Sequence, residues 1–352
     1  MHIYLSKKVA VPNETKLSSI SWNSRRNCIA CGGEDGMLKI IGFEPPSANS
    51  FVLTSNQSLE GHRGAVTFLA WNEYRDKLAS SDKNGLIIVW GWHDGQWHED
   101  MINNRNKTPV CNMQWSLNKS MIGIAYIDGT VTIGGVDGNR IWTTKVQRKL
   151  SYIQWTSSDQ VVLLDETNSF LFYDHKGNKI KEIHFESSSR ISMFHIRKTL
   201  DSRSAHSLPY IAVVMDSGTI KIHAEELSSK NYICIETNID EPAFCWTGQA
   251  DNFIVCGYEF ATNGRDTNMS SNCVLVLKCF DLFGRQLTHL KVASSHTYVK
   301  PYLAWDEVGL GAACAVGSSI YFAVVRKNFK FGNTPDVFVF EEEEEQDKVR
   351  LY

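Results

Sequence analysis

Residues 60–90 read EGHRGAVTFLAWNEYRDKLASSDKNGLIIVW. Glu60-Gly61-His62 precedes an apolar strand from Val66 to Trp71. A polar turn follows at Asn72-Glu73-Tyr74-Arg75-Asp76, then a second strand, Leu78-Ala79-Ser80-Ser81. Lys83-Asn84-Gly85 reads as a tight hairpin turn, because Asn and Gly tolerate positive φ. Leu86 to Trp90 is the third strand.

The stretch has the Gly-His to Trp pattern of a WD40 blade, a four-stranded sheet repeated around a channel. Its first strand recurs. Ile20-Ser21-Trp22, Leu69-Ala70-Trp71, Met113-Gln114-Trp115, Ile153-Gln154-Trp155, Phe244-Cys245-Trp246 and Leu303-Ala304-Trp305 all end on tryptophan. Most steps are about 40 to 60 residues, a spacing that signals a radial or stacked array. The gap from Trp155 to Trp246 is about twice as long, and Met193-Phe194-His195-Ile196 at its middle reads as a copy without its Trp.

Second strand, turn and third strand recur with it. Ile29 to Gly33 leads through Asp35-Gly36 to Met37–Ile41, and Ile122 to Tyr126 through Asp128-Gly129 to Thr130–Ile133. Val161–Leu164 with Phe170–Tyr173, Ile211–Val214 with Thr219–Ile222, Phe253–Cys256 with Val274–Leu277, and Ala312–Val316 with Ile320–Val325 complete the set. The expectation is an all-β, seven-bladed WD40-type propeller over residues 1–333. A ring must close, or an edge stays unpaired. Ile3-Tyr4-Leu5 is expected to supply the outer strand of blade 7.

Residues 44–57, 197–208 and 261–272 are polar and read as extended loops. Residues 334–352 read as an acidic linker, Glu341 to Glu345, inside the truncated first hairpin of a following propeller.

Bulk composition narrows the function. The chain has 352 residues and a formal net charge of -3, so it lacks the basic excess of a nucleic-acid binder. Nine cysteines, mostly inside apolar strands, read as free core thiols of a reducing compartment. The N-terminus has no apolar signal core, and no apolar run reaches roughly 18 residues.

Chemistry-bearing residues are few. His62, Trp90 and either Asp82 or Asn84 are expected to form a buried hydrogen-bonded network in blade 2. The sequence leaves open which of the latter two takes part. The other blades lack Gly-His and are expected to be held by apolar packing. Cys28-x-x-Cys31 has the spacing of half a zinc site but no second pair. His93, Asp94, His98 and Asp100, interleaved with Trp92 and Trp97, read as a surface loop anchored by indoles. No phosphate loop, nucleophile elbow or catalytic constellation is visible, and nothing designates a cofactor or metal. The basic clusters are Arg25-Arg26, Arg105 with Lys107, Lys145 with Arg148-Lys149, and Arg326-Lys327 with Lys330. They are expected to lie in turns, several on one face, and to contact acidic protein or an anionic membrane surface.

Longer strings carry a family resemblance. Tyr4–Lys8, Ala30–Gly36, Asn84–Trp90, Met101–Lys107, Val136–Trp142 and Ala313–Gly317 with Ile320–Phe322 together resemble the WD-repeat protein 35 family of intraflagellar transport complex A. The resemblance implies a non-catalytic scaffold, the first of two propellers before helical repeats. It implies work with other complex A subunits in retrograde ciliary transport and in the entry of membrane-protein cargo. It also implies residence at the cilium, the ciliary base and the cytoplasm. Tubby-like ubiquitin-ligase adaptors with N-terminal WD repeats have similar opening motifs and form the alternative.

Overall fold

The computed structural model describes residues 2–44, 52–104, 106–156, 159–197, 210–224, 227, 231–247, 252–260, 273–295, 298–306 and 311–326. The described residues form seven antiparallel sheets of four strands each, the seven-bladed propeller that the repeats foretell. Blade 1 runs outward through Leu17–Asn23, Cys28–Gly33, Leu38–Phe43 and Leu53–Ser58. Blade 2 uses Val66–Asn72, Lys77–Asp82, Ile87–His93 and Gln96–Asn103. Blade 4 uses Leu150–Trp155, Val161–Asp165, Ser169–Tyr173 and Lys179–His184.

Closure occurs at blade 7. Tyr302–Trp305, Gly311–Val316 and Ser319–Arg326 provide three strands, and His2–Ala10 pairs antiparallel with the last. Ile3, Tyr4 and Leu5 face Val325, Val324 and Ala323, as expected. The N-terminal strand therefore occupies the edge that would otherwise be open.

Burial explains which strands the sequence displays. Every residue of Cys28–Gly33, Leu38–Phe43, Val161–Asp165 and Ser169–Tyr173 is buried, because neighbouring blades cover both faces of the middle strands. Outer strands such as Lys179–His184 are mostly exposed and therefore polar. This exposure hides Leu53–Ser58 in the sequence. The segment expected as part of a loop is the outer strand of blade 1, paired with Lys39–Phe43. Residues 45–51, most of 197–208, all of 261–272 and the whole of 327–352 lie outside the described residues.

The core comprises seven apolar clusters among the described residues, one for each joint between blades. Trp71, Trp90 and Trp97 pack with Ala30 and Leu38 at the joint of blades 1 and 2. Phe170 and Phe194 pack at the joint of blades 4 and 5. The recurring tryptophan adds a hydrogen bond at several joints. The indole N–H donates to a carbonyl near the end of the preceding blade's inner strand: Trp71 to Ser21 at 3.1 Å, Trp115 to Ala70 at 3.0 Å, Trp155 to Gln114 at 3.0 Å and Trp246 to His195 at 3.3 Å. Blade 5 carries Ile196 at this position, and there the Gln154 side chain accepts the Ile196 amide at 2.9 Å. The Trp-less copy is thus a true inner strand, Ile191–Ile196, which keeps the amide-to-glutamine bond that Trp155 also makes to Gln114 at 2.9 Å.

Cys28 and Cys31 show why their spacing binds no metal. An odd offset in a strand puts the two side chains on opposite faces. Cys28 packs towards blade 2 and Cys31 towards blade 7. Burial pushes both thiols up to about 12. Among the described residues no cluster of three or more His, Cys, Asp or Glu side chains is placed to hold a metal ion.

Candidate functional site

Antiparallel order puts the connections of every blade at alternating ends. Second-to-third strand turns and blade-to-blade connections share one face, here the upper face. First-to-second and third-to-fourth turns share the lower face.

The blade 2 network lies at the upper end of its second strand. His62 comes from the preceding connection and Asp82 closes the strand opposite Val66. Both side chains are buried, at 0% and 1% exposure. His62 Nδ1 lies 3.2 Å from Asp82 Oδ2, and Nε2 lies 2.7 Å from Ser80 Oγ. Trp90 Nε1 donates to Ser80 Oγ at 2.8 Å. Burial lowers the His62 pKa, and the Asp82 hydrogen bond only partly opposes this. The neutral ring then donates from Nδ1 to the carboxylate and accepts the Ser80 hydroxyl at Nε2. This tautomer gives each polar atom a role. Asp82 Oδ1 accepts the Asn84 and Leu86 amides at 2.8 and 3.2 Å and so fixes the turn. Asp82 is therefore the acidic member, and Asn84 contributes its backbone and not its exposed side chain. Ser80 escaped the sequence reading. Its period-two offset from Asp82, on the same strand face, was the available signal.

Blade 4 repeats the corner with other residues. Asp165 closes the second strand opposite Leu150, as Asp82 does opposite Val66. Its Oδ1 accepts the Thr167 amide and hydroxyl and the Ser169 amide at 2.7 to 2.9 Å. Its Oδ2 meets Arg148 Nη1 at 2.9 Å, and the same nitrogen reaches Glu182 at 2.6 Å. These two carboxylates raise the Arg148 pKa. Apolar packing holds the joints of the other blades as expected, and blade 4 adds a polar corner of its own, because a buried aspartate needs a partner whichever residue supplies it.

The other basic residues divide between faces. Arg25 and Arg26 sit in the lower first turn of blade 1. Arg25 donates to the Glu73 carbonyl at 3.1 Å. Arg26 Nε binds Asp76 at 2.7 Å and its guanidinium lies 4.3 Å from the Trp92 ring centroid. The Arg26 hydrogen bond holds the Asp76 carboxyl below its ordinary value. Both arginines join blades 1 and 2. Lys107, Lys145, Arg148 and Lys149 lie along the upper face of blades 2 to 4. Lys145 pairs with Asp128 at 3.2 Å, and Lys149 stands 4.0 Å from Glu166. Lys107 is exposed, and Arg105 lies outside the described residues. Lys107 and the Lys145, Arg148 and Lys149 cluster thus share the upper face as expected, Arg25 and Arg26 lie on the lower one, and Arg25, Arg26 and Arg148 have structural partners within the chain.

The segment with His93, Asp94, His98 and Asp100 is a hairpin of the third and fourth strands, not a loop. Asp100 binds Lys77 at 2.6 Å and His93 at 2.9 Å. A lysine ammonium in that position competes with any cation.

Comparison with known proteins follows the architecture. The family model described as WDR35/TULP4 N-terminal matches residues 1–326. The chain belongs to the WDR35/TULP4 N-terminal propeller family. Within this family, human WD repeat-containing protein 35 is 36% identical along 97% of the chain, and the mouse protein of that name is equally similar. The chain spans 29% of the length of each. Human tubby-related protein 4 is also 36% identical, but over 110 residues, 31% of the chain and 7% of its own length. Among solved structures, the Cps50 (Swd1) β-propeller domain of Myceliophteria thermophila covers 92% of the chain, and all of its own, with a TM-score of 0.68. At 13% identity that likeness concerns the fold alone. The family's propeller is therefore the frame on which all the residues above are placed.

Proposed function

We propose that the chain is the first propeller of a WD-repeat protein 35-like subunit of intraflagellar transport complex A. It acts without catalysis, as a platform for protein-protein contacts in retrograde ciliary transport and in the entry of membrane-protein cargo into cilia. Its place is the cilium, the ciliary base and the cytoplasm. The observation that carries the reading is the 36% identity to human WD repeat-containing protein 35 along 97% of the chain. The similarity to tubby-related protein 4 covers less than a third of the chain, which favours transport over a ubiquitin-ligase adaptor. The polar side chains reinforce this. His62, Ser80 and Asp82 are buried and spend their hydrogen bonds on one another and on holding a turn.

Affinity purification of the full-length protein from ciliated cells tests the proposal. Recovery of the other complex A subunits is the expected result. Recovery of cullin-based ligase components in their place would overturn it in favour of the adaptor.

A further inference from the structure

Three cations of blade 2 have no ion-pair partner among the described residues. Arg63, Lys83 and Lys107 are all exposed, and they occupy three successive connections of the upper face. Backbone contacts make these connections one continuous surface. The Lys83 amide donates to the Ala65 carbonyl at 2.9 Å. A Cβ placed on Gly64 would meet Lys83 Cγ at 3.0 Å, so the Arg63-Gly64 corner abuts the lysine stem. A Cβ on Gly85 would meet the Asn106 carbonyl at 2.8 Å, so the Lys83 turn abuts the Lys107 connection. Gly85 has φ of 81°, a conformation that favours glycine and lets the turn come this close. The surface continues to blade 3, where the Ile127 amide donates to the Pro109 carbonyl at 3.1 Å. Ile127 is 43% exposed.

The carboxylates on the blade 2 and blade 3 side of this rim are committed to other partners. Asp82 is buried and fully used by His62 and its own turn. Asp128 is held by Thr130 and Lys145. Exposed carboxylates stand on the other side only: Glu60 in the connection of Arg63, and Glu34 and Asp35 in the blade 1 turn whose Gly36 abuts that corner, so the cationic surface runs from Arg63 through Lys83 to Lys107. Three free cations therefore face solvent on rigid turns, with an exposed isoleucine beside them.

We propose that Arg63, Lys83, Lys107 and Ile127 dock an acidic segment of a partner protein that carries an apolar residue among its carboxylates. The proposal rests on the reading of the chain as a binding platform, but not on which assembly it joins. A protein partner fits better than a membrane. Polybasic lipid-binding segments concentrate roughly four to eight cations, whereas here three unpaired cations are spread over three separate connections and the next ones along the face, Lys145, Arg148 and Lys149, have carboxylate partners. Turns braced by buried side chains hold the charges at set positions, which suits a partner with matching carboxylates. The isoleucine supplies a desolvated contact of the kind that distinguishes an interface from a charged surface alone.

The test uses the full chain and a labelled peptide, Glu-Glu-Leu-Glu-Glu-Leu-Glu, read by fluorescence anisotropy. Its Gln-for-Glu counterpart and phosphatidylserine–phosphatidylcholine vesicles run alongside. The acidic peptide is expected to bind, and Arg63→Glu with Lys83→Glu and Lys107→Glu to weaken it by at least about tenfold. Ile127→Asp weakens it by several-fold. Lys176→Glu, in the lower turn of blade 4, leaves binding unchanged. Thermal melts establish that each variant is folded. Equal binding by the wild-type and triple-variant chains, or by the acidic and Gln peptides, would overturn the proposal. So would charge-dependent vesicle binding without peptide binding, which would assign the rim to lipid. The purification of complex A is a separate readout. A triple variant that loses the peptide and still recovers complex A separates the two proposals.

Discussion

In blade 2 a buried carboxylate, Asp82, meets a histidine; in blade 4 the carboxylate at the same register, Asp165, meets an arginine. Each aspartate ends the second strand, and each uses one oxygen to fix the turn that follows. The other oxygen takes a partner from the connection that enters the blade. In blade 2 that partner is buried, neutral and part of a chain through Ser80 to Trp90. In blade 4 it is 40% exposed and shared with Glu182. Blades 1, 3 and 5 place Gly33, Tyr126 and Met215 at this register, so the topology does not demand an aspartate, but a buried aspartate there needs a donor facing it. The identity of the donor is left to each blade.

The largest contrast is expected from removing the donor. His62→Ala removes the partner of a buried carboxylate oxygen and of the Ser80 hydroxyl, at a cost of about 3 kcal/mol. Arg148→Ala costs about 1 kcal/mol, because water reaches the corner and three turn donors still serve Asp165. Urea unfolding of the two variants measures the gap. Equal losses would break the comparison.

The pH response separates the blades next. Burial depresses the folded-state pKa of His62 below its ordinary value near 6.5. The unfolded chain therefore binds a proton more readily than the folded chain. The contribution of His62 is complete above about pH 6.5 and is lost as pH falls through its depressed folded value, with a slope of at most about 1.4 kcal/mol per pH unit. Arg148 stays charged throughout. Stability of Arg148→Ala should therefore keep the acid-side slope, and His62→Gln should reduce it. Burial holds His195 at about 4, so its contribution also falls from about pH 6.5 downward and continues to about pH 4. The difference between melts of the wild-type and His62→Gln chains from pH 7.5 to pH 5 isolates the His62 share.

A smaller effect concerns salt. At 1 M sodium chloride the Debye length is about 3 Å, and the penalty of Arg148→Ala should shrink by half or more. The penalty of His62→Ala should stay, because its partners are sealed from ions. A salt-insensitive Arg148 effect would show that its guanidinium acts through packing.

Thiol labelling gives the mildest test of the frame. Cys234 is exposed on an outer strand, whereas Cys256 and Cys314 are buried between blades 6 and 7. Cys234 should react first with an alkylating reagent, and Cys256 and Cys314 only on unfolding. Early reaction at Cys314 would mean that the closing blade opens.

Much of this was legible in the chain. Middle strands, buried on both faces, show as apolar runs, and the inner strand announces itself through its tryptophan. The closing strand at Ile3–Leu5 was legible because a ring with one strand too few requires it. Outer strands were not, since Leu53–Ser58 and Lys179–His184 face water and carry the polar composition of loops. The candidate site was only half legible. His62, Asp82 and Trp90 carry the repeat pattern, but Ser80 and Arg148 lie in no motif. The basic residues looked alike in the sequence, and only their neighbours divide them. Arg26 faces Asp76 and Trp92, and Arg148 faces two carboxylates, whereas Lys107 faces solvent.

The sequence by itself determined the number of blades, their order and the way the ring closes. These follow from periodicity and hydrophobic burial, which are properties of the chain taken in order. The tertiary structure decided which charges are spent and which remain free. Ion pairs such as Arg148–Asp165 and Arg26–Asp76 join residues 17 and 50 positions apart, and no local pattern encodes a distance set by the curvature of the ring.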